Sequence, residues 1–116
     1  MFSYQQQVDF GTRKTEVDRI KAKWPGKIPI ILEKDSRSEI KTLSKSKFLC
    51  PDDYTLQQFQ ACIRKKIHLP QHVSLYFFVN GKTLPASESG VSQIYQDSAS
   101  EDGFLYILYS ELETKG

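Results

Sequence analysis

Residues 55–67 read TLQQFQACIRKKI, and this stretch organises the rest of the chain. Thr55 followed by Gln58 has the form of a capping box, in which each side chain satisfies a backbone donor near the other. Leu56, Phe59, Ile63 and Ile67 then recur at steps of three and four, which lays them along one face of a helix. Arg64, Lys65 and Lys66 complement the negative end of the helix dipole, and Pro70 forbids continuation. A helix with one apolar face needs another element to cover it.

The flanking segments supply a sheet. In Lys27–Lys34, Ile28, Ile30 and Leu32 alternate with Pro29, Ile31 and Glu33, which predicts a strand with both faces partly covered. Pro29 has no N–H to give a ladder, so the strand either starts near it or has an unpaired side there. After the polar stretch Asp35–Lys45, Lys47–Cys50 reads as a second short strand, most simply the hairpin partner of the first through a long connection. Ser74–Val79 is aromatic and β-branched and runs into Asn80-Gly81, a tight-turn signal. Val91–Gln96 predicts a short helical turn and Phe104–Tyr109 a last strand. Ahead of them, Thr12–Lys23 carries Val17 and Ile20, with Trp24 after them at helical spacing, and stops at Pro25-Gly26. Its narrow apolar stripe predicts a helix lying outside the main core. The element order is α+β. It fits a mixed sheet curled round one central helix, the β-grasp of ubiquitin, with a ferredoxin-like sandwich as the competing topology.

The chain has 116 residues, room for one domain. Its 39% hydrophobic and 26% charged content excludes the composition of disorder. The longest aliphatic run, Ile30-Ile31-Leu32, is far too short to span a bilayer. The N-terminal stretch lacks the basic flank and apolar segment of a signal peptide, and two cysteines fit a reducing compartment, so a cytoplasmic protein is expected. Charge is unevenly spread: residues 1–66 hold fourteen Lys and Arg against eight Asp and Glu, residues 67–116 two against six. A basic surface made by the N-terminal half suits acidic segments, anionic membrane or nucleic acid, or is a solvated face with no partner.

Catalytic chemistry finds little support. Cys62 sits between Phe59 and Ile63, where a small apolar residue is expected, and Cys50 closes a strand beside Pro51, so both read as structural rather than as activated nucleophiles. His68 and His72 straddle Pro70 with no CxxC pair, a weak metal signal, and no glycine-rich phosphate loop is present. Neither enzyme activity, metal nor cofactor is expected. Arg13, Lys14, Arg19, Lys21 and Lys23 alternate with Glu16 and Asp18, which weakens a nucleic-acid reading. The short strand at Lys47–Cys50, flanked by Lys45, can accept an extended peptide along its edge, or its lysines simply guard that edge against aggregation. Gly116, lacking Cβ, can thread a narrow enzyme channel.

Several ordered blocks resemble one family: KWPGKIPIILEK (23–34), SKFLCP (46–51), IRKKIHLP (63–70), FFVN (77–80), IYQ (94–96) and DGFLY (102–106). They are similar to the autophagy-related protein 8 family, the ubiquitin-like modifiers that include light chain 3 and the GABA-receptor-associated protein. The resemblance implies a ubiquitin-like β-grasp with two additional N-terminal helices, near Ser3–Val8 and Thr12–Lys23. It divides the chain into an N-terminal helical extension (1–25), a β-grasp core (26–110) and a C-terminal conjugation tail (111–116). It implies conjugation of Gly116 to phosphatidylethanolamine by activating and conjugating enzymes, with a cysteine protease for processing and deconjugation. The product would be lipid-anchored at the autophagosome membrane, with the vacuole or lysosome as a further destination. The alternative is a ubiquitin-like interaction domain that is never conjugated.

The resemblance also implies binding of aromatic-x-x-aliphatic motifs in cargo receptors. Carried over by position, Glu16, Ile20, Pro29, Lys47, Leu49 and Phe104 line an aromatic pocket. Phe48, Cys50, Pro51, Tyr54, Phe59, Cys62 and Ile63 line an aliphatic one, and Lys27, Lys45, Lys47 and Arg64 or Lys66 face the acids that precede the motif. Three features depart from the family's usual pattern: Lys115 in place of an aromatic residue, Cys62 in place of a larger aliphatic, and one extra residue after Asn80.

Overall fold

A computed structural model describes residues 2–113. The order is α1 (Ser3–Gln7), α2 (Phe10–Lys23), β1 (Lys27–Lys34), β2 (Lys47–Pro51), α3 (Leu56–Lys66), β3 (Tyr76–Val79), α4 (Val91–Ser98) and β4 (Leu105–Ser110). The strands form one sheet in the order β2-β1-β4-β3. β1 runs antiparallel to β2 and parallel to β4, and β4 runs antiparallel to β3. This is the β-grasp arrangement; the ferredoxin-like alternative is excluded.

Both sheet faces are covered, as the alternation in β1 requires. Ile28, Ile30 and Leu32 join Phe48, Cys50, Phe77, Leu105 and Ile107 in a core capped by Leu56, Phe59 and Ile63 of α3. Ile31 faces the other way, into a second cluster with Val17 and Ile20 of α2, Phe2, Phe104 and Tyr106. Each such side chain, taken fully out of water, contributes about 1.5–3 kcal/mol. The Thr55–Gln58 capping box forms as read, with the Gln58 amide donating to the Thr55 hydroxyl at 3.2 Å and Gln58 accepting from the Thr55 amide at 2.8 Å.

Several boundaries differ from the reading. α2 begins at Phe10 rather than Thr12, because Asp9 is its N-cap and accepts from the Thr12 amide at 2.8 Å. Trp24 does not extend the apolar stripe; it is the C-cap and is 38% exposed. α1 ends one residue early, at Gln7, and its first two amides, Ser3 and Tyr4, donate to the Glu33 carboxylate of β1 at 2.8 and 2.9 Å. β2 extends to Pro51, β3 starts at Tyr76, α4 runs on to Ser98, and β4 is shifted by one residue to Leu105–Ser110.

The N-terminal helices are also held to the sheet by polar bonds. Asp102, wholly buried, accepts from Arg13 Nε at 2.7 Å, from the Tyr106 hydroxyl at 2.6 Å and from the Phe104 amide at 2.9 Å. Arg13 donates as well to the Val8 and Gln5 carbonyls, so one guanidinium joins α1, α2 and the start of β4.

Candidate functional site

β2 is an edge strand, and its register decides which of its backbone groups are spoken for. The Leu32 amide donates to the Ser46 carbonyl at 2.8 Å and the Asp52 amide to the Gly26 carbonyl at 2.9 Å. These pairs flank the register Ile30↔Phe48, Ile28↔Cys50, Pro29↔Leu49 and Ile31↔Lys47. In an antiparallel ladder bonded and non-bonded pairs alternate. Phe48 and Cys50 are therefore bonded to β1, and Lys47 and Leu49 turn their N–H and C=O groups off the sheet. The Pro51 carbonyl is taken by the Tyr54 amide at 3.2 Å. Pro29 falls in a non-bonded pair, and β4 pairs with β1 only from Ile30 onward, so its missing N–H costs no ladder bond.

The same period of two sorts the side chains of β2. Lys47 and Leu49 face α2, where Leu49 packs on the cluster containing Ile20 and Phe104. Ile20 and Phe104 are buried and form a floor, and Pro29 is buried beside them in register with Leu49. The Lys47 ammonium donates to Glu16 at 2.7 Å. Glu16 also pairs with Arg19, and together Lys47 and then Arg19 hold its carboxyl below the ordinary glutamate range. Glu16, Ile20, Pro29, Lys47, Leu49 and Phe104 are thus brought together on the α2 side of the edge.

Phe48 and Cys50 face α3. Phe48 meets Phe59 edge-on at 6.2 Å, and Cys50 shares the core with Phe59 and Ile63, with Tyr54 partly buried against it. Burial pushes the Cys50 thiol up to about 12, which leaves it protonated and inert at neutral pH. Pro51 has the parity of Leu49 and so closes the other side of the strand. Cys62 is a correction: it is exposed, not packed between Phe59 and Ile63. Phe59 and Ile63 share a face at i, i+4, whereas Cys62 lies off that stripe toward the Tyr54 hydroxyl, whose pKa its thiol raises.

The basic residues divide among three places. Lys27 is in register with Pro51 at one end of β2, and Lys45 and Lys47 are at the other. Lys45 lies over the Phe48 ring at 5.0 Å, and Lys66 rims the same concavity as Lys45 and Phe48. Arg64 instead donates to the Pro70 carbonyl at 2.8 Å, which commits it to the connection after α3. Gly116 and Lys115 lie outside the described residues. Sequence reasoning missed the Arg13–Asp102 pair, whose members are 89 residues apart and belong to no local pattern. Among the described residues no group of three or more His, Cys, Asp and Glu could hold a metal, and no helix is long and apolar enough to cross a membrane.

A four-stranded mixed sheet wrapped on α3, with two helices on its other face and β2 at one edge, defines a ubiquitin-like protein with an N-terminal helical addition. Residues 12–116 match the family model described as Autophagy protein Atg8 ubiquitin like. The chain is also similar to the crystal structure of Trypanosoma brucei ATG8, at 34% identity over 95% of this chain and 94% of that one, with a TM-score of 0.90. The chain belongs to the Atg8 family, and is a ubiquitin-like protein of autophagy.

Proposed function

We propose that this chain is a modifier joined through Gly116 to the amine of phosphatidylethanolamine, and that it binds aromatic-x-x-aliphatic motifs of cargo receptors and autophagy adaptors along the free edge of β2. The observation that carries the motif reading is that edge: Lys47 and Leu49 present backbone groups with no partner among the described residues, between an α2-side floor and an α3-side floor. An extended peptide added there gains main-chain bonds, and its alternate side chains fall to opposite faces. Lys47, Lys45 and Lys66 give the edge a basic border suited to acids flanking the motif.

Conjugation is supported by family membership and by a family match that runs through residue 116. In this reading the chain is a substrate, not an enzyme. An activating enzyme adenylates the glycine carboxylate, cysteine thioesters carry it, and the lipid amine displaces the last thiol to form an amide. A cysteine protease cuts that bond again. One such event supplies two acyl chains, the number that stable anchoring requires. Residues 1–25 act as the helical extension, 26–110 as the core and 111–116 as the conjugation tail, and the protein moves between cytoplasm and autophagosome membrane.

Incubation with activating enzyme, conjugating enzyme, ATP and phosphatidylethanolamine liposomes tests the first half. The lipid adduct is expected on the wild-type chain and not on Gly116→Ala, and an adduct on Gly116→Ala contradicts the assignment. Wild-type chain that binds peptide but never acquires lipid is instead an unconjugated interaction domain. For the groove, Leu49→Ala is expected to weaken peptide binding by about 1–3 kcal/mol.

A further inference from the structure

β4 ends at Ser110, and the residue after it is tied down again. The Glu111 carboxylate accepts from the Ser38 hydroxyl at 2.5 Å through one oxygen and from the Glu39 amide at 3.0 Å through the other, across 73 and 72 residues of chain. Both partners belong to the connection between β1 and β2. Ser38 is 6% exposed, so one half of this clasp is shielded from water. Burial works against the Glu111 charge, but the bonds from Ser38 and Glu39 lead the effects that outweigh it and hold the carboxyl below the ordinary glutamate range.

The segment that receives Glu111 is itself fixed to the sheet. Just past the end of β1 the Asp35 amide donates to the Tyr109 carbonyl at 2.9 Å, and the Asp35 carbonyl accepts from the Ser38 amide at 3.0 Å. Further on, the Tyr109 hydroxyl donates to the Lys41 carbonyl at 3.0 Å and accepts from the Leu43 amide at 3.0 Å. Ser38 and Glu39 are therefore held between two attachments to β4, the strand that leads into Glu111. Past the clasp the Leu112 amide donates to the Ser110 hydroxyl at 2.9 Å, and Leu112 is 41% exposed.

The clasp sets the point from which the rest of the chain departs. Gly116 lies five residues beyond Glu111, a reach of about 18 Å at most. Without the clasp the last fixed residue is Ser110, which pairs with Tyr76, and an enzyme that takes the glycine must order Glu111 as well. Ordering a residue's backbone costs entropy, and a chain already ordered there binds more tightly. That gain is the same in the bound ground state and in the transition state, so it acts on KM and not on kcat. We propose that Glu111 is a positioning residue for conjugation, clasped by Ser38 and Glu39 so that residues 112–116 leave the fold from one fixed point; the proposal rests on the reading of Gly116 as the conjugated residue.

The test measures initial rates of thioester formation on the activating enzyme against the concentration of the full chain, at saturating ATP. Glu111→Ala is expected to raise KM about tenfold and leave kcat unchanged. Ser38→Ala, which removes one of the two bonds, is expected to raise KM less, and the two changes together to do no more than Glu111→Ala alone. Glu111→Gln keeps an acceptor oxygen and is expected to recover most of the loss, while the affinity of every variant for an aromatic-x-x-aliphatic peptide stays that of the wild type. An unchanged KM for Glu111→Ala overturns the proposal. A rise with Glu111→Ala and none with Ser38→Ala also overturns it, because the enzyme then reads the carboxylate directly, and so do additive effects of the two changes. Peptide affinity that falls in step with the rise in KM marks a purely structural role and overturns it as well. If the wild-type chain forms no thioester, the Gly116 reading falls and the proposal with it; a charged wild type with variants of equal KM overturns the clasp alone and leaves that reading standing.

Discussion

The Lys47 ammonium on β2 donates to the Glu16 carboxylate on α2 at 2.7 Å, tying the edge strand to the helix on one side of the groove. Ile20, one turn further along α2, shares an apolar cluster with Leu49, so the ion pair and the packing act on the same two elements. The pair is accessible, with 41% of the Lys47 side chain exposed, and is worth at most about 1 kcal/mol.

Its pH dependence follows from the sign of the Glu16 shift. Lys47 and Arg19 lower the folded pKa below the ordinary value of 4.5. The stabilisation is therefore complete above about pH 4.5 and is lost as pH falls through the folded pKa. Thermal midpoints of the wild-type chain and Glu16→Gln are expected to differ by a constant amount from pH 7 down to about 4.5, and to converge below it. A gap that widens in acid contradicts the pairing.

The two thiols are expected to react very differently. Cys50 is 1% exposed and its thiol is pushed up to about 12, whereas Cys62 is exposed at the α3 side of the groove. A maleimide at pH 7 is expected to label Cys62 alone, as read by peptide mass mapping, and a saturating motif peptide to slow that labelling. Equal labelling of both cysteines contradicts the burial of Cys50.

Gly103 is held at φ +94° with Val17 directly above it: a Cβ there would lie 2.6 Å from Val17 Cγ1. Gly103→Ala therefore strains the backbone and pushes α2 off the sheet, at an expected cost of at least about 1–3 kcal/mol in urea unfolding. Gly26→Ala, with nothing within 4 Å of the added carbon, is the matched control and is expected to change little.

Asp102 joins the N-terminal helices to the sheet through Arg13. Asp102→Ala leaves the Arg13 guanidinium, 12% exposed, without its counter-charge, and breaking such a buried pair costs about 3–5 kcal/mol. Hydrogen exchange is expected to accelerate in α2 far more than in α3. Uniform acceleration through both helices would mean that the pair does not act through helix docking.

The parts of this fold legible beforehand are those written in local periodicity. The stripe Leu56–Phe59–Ile63 and the alternation Ile28–Ile30–Leu32 place α3 and β1 within a residue or so, and the 55–58 capping box marks the helix start. Pro29 was readable as a position with one unpaired side. What stayed hidden depends on pairing between distant segments. Arg13 looks like one more surface cation until Asp102 is brought beside it, and nothing in the alternation of β1 links Glu33 to the α1 amides it accepts from. Cys62 is exposed although Ile63 is buried, because adjacency in sequence is a rotation of about 100° on a helix. For the candidate site, the types and order of residues in β2 were visible, but which of them turn their backbone outward follows only from the register with β1.

Amide hydrogen exchange across β2, with and without an aromatic-x-x-aliphatic peptide, tests the groove most directly. Phe48 and Cys50 are already bonded to β1 and are expected to be protected in both states, whereas the Lys47 and Leu49 amides are expected to exchange fast in the free chain and to become protected together on binding. Lys47 and Leu49 amides that exchange equally fast with saturating peptide, or a peptide that protects another edge instead, would contradict strand addition at β2.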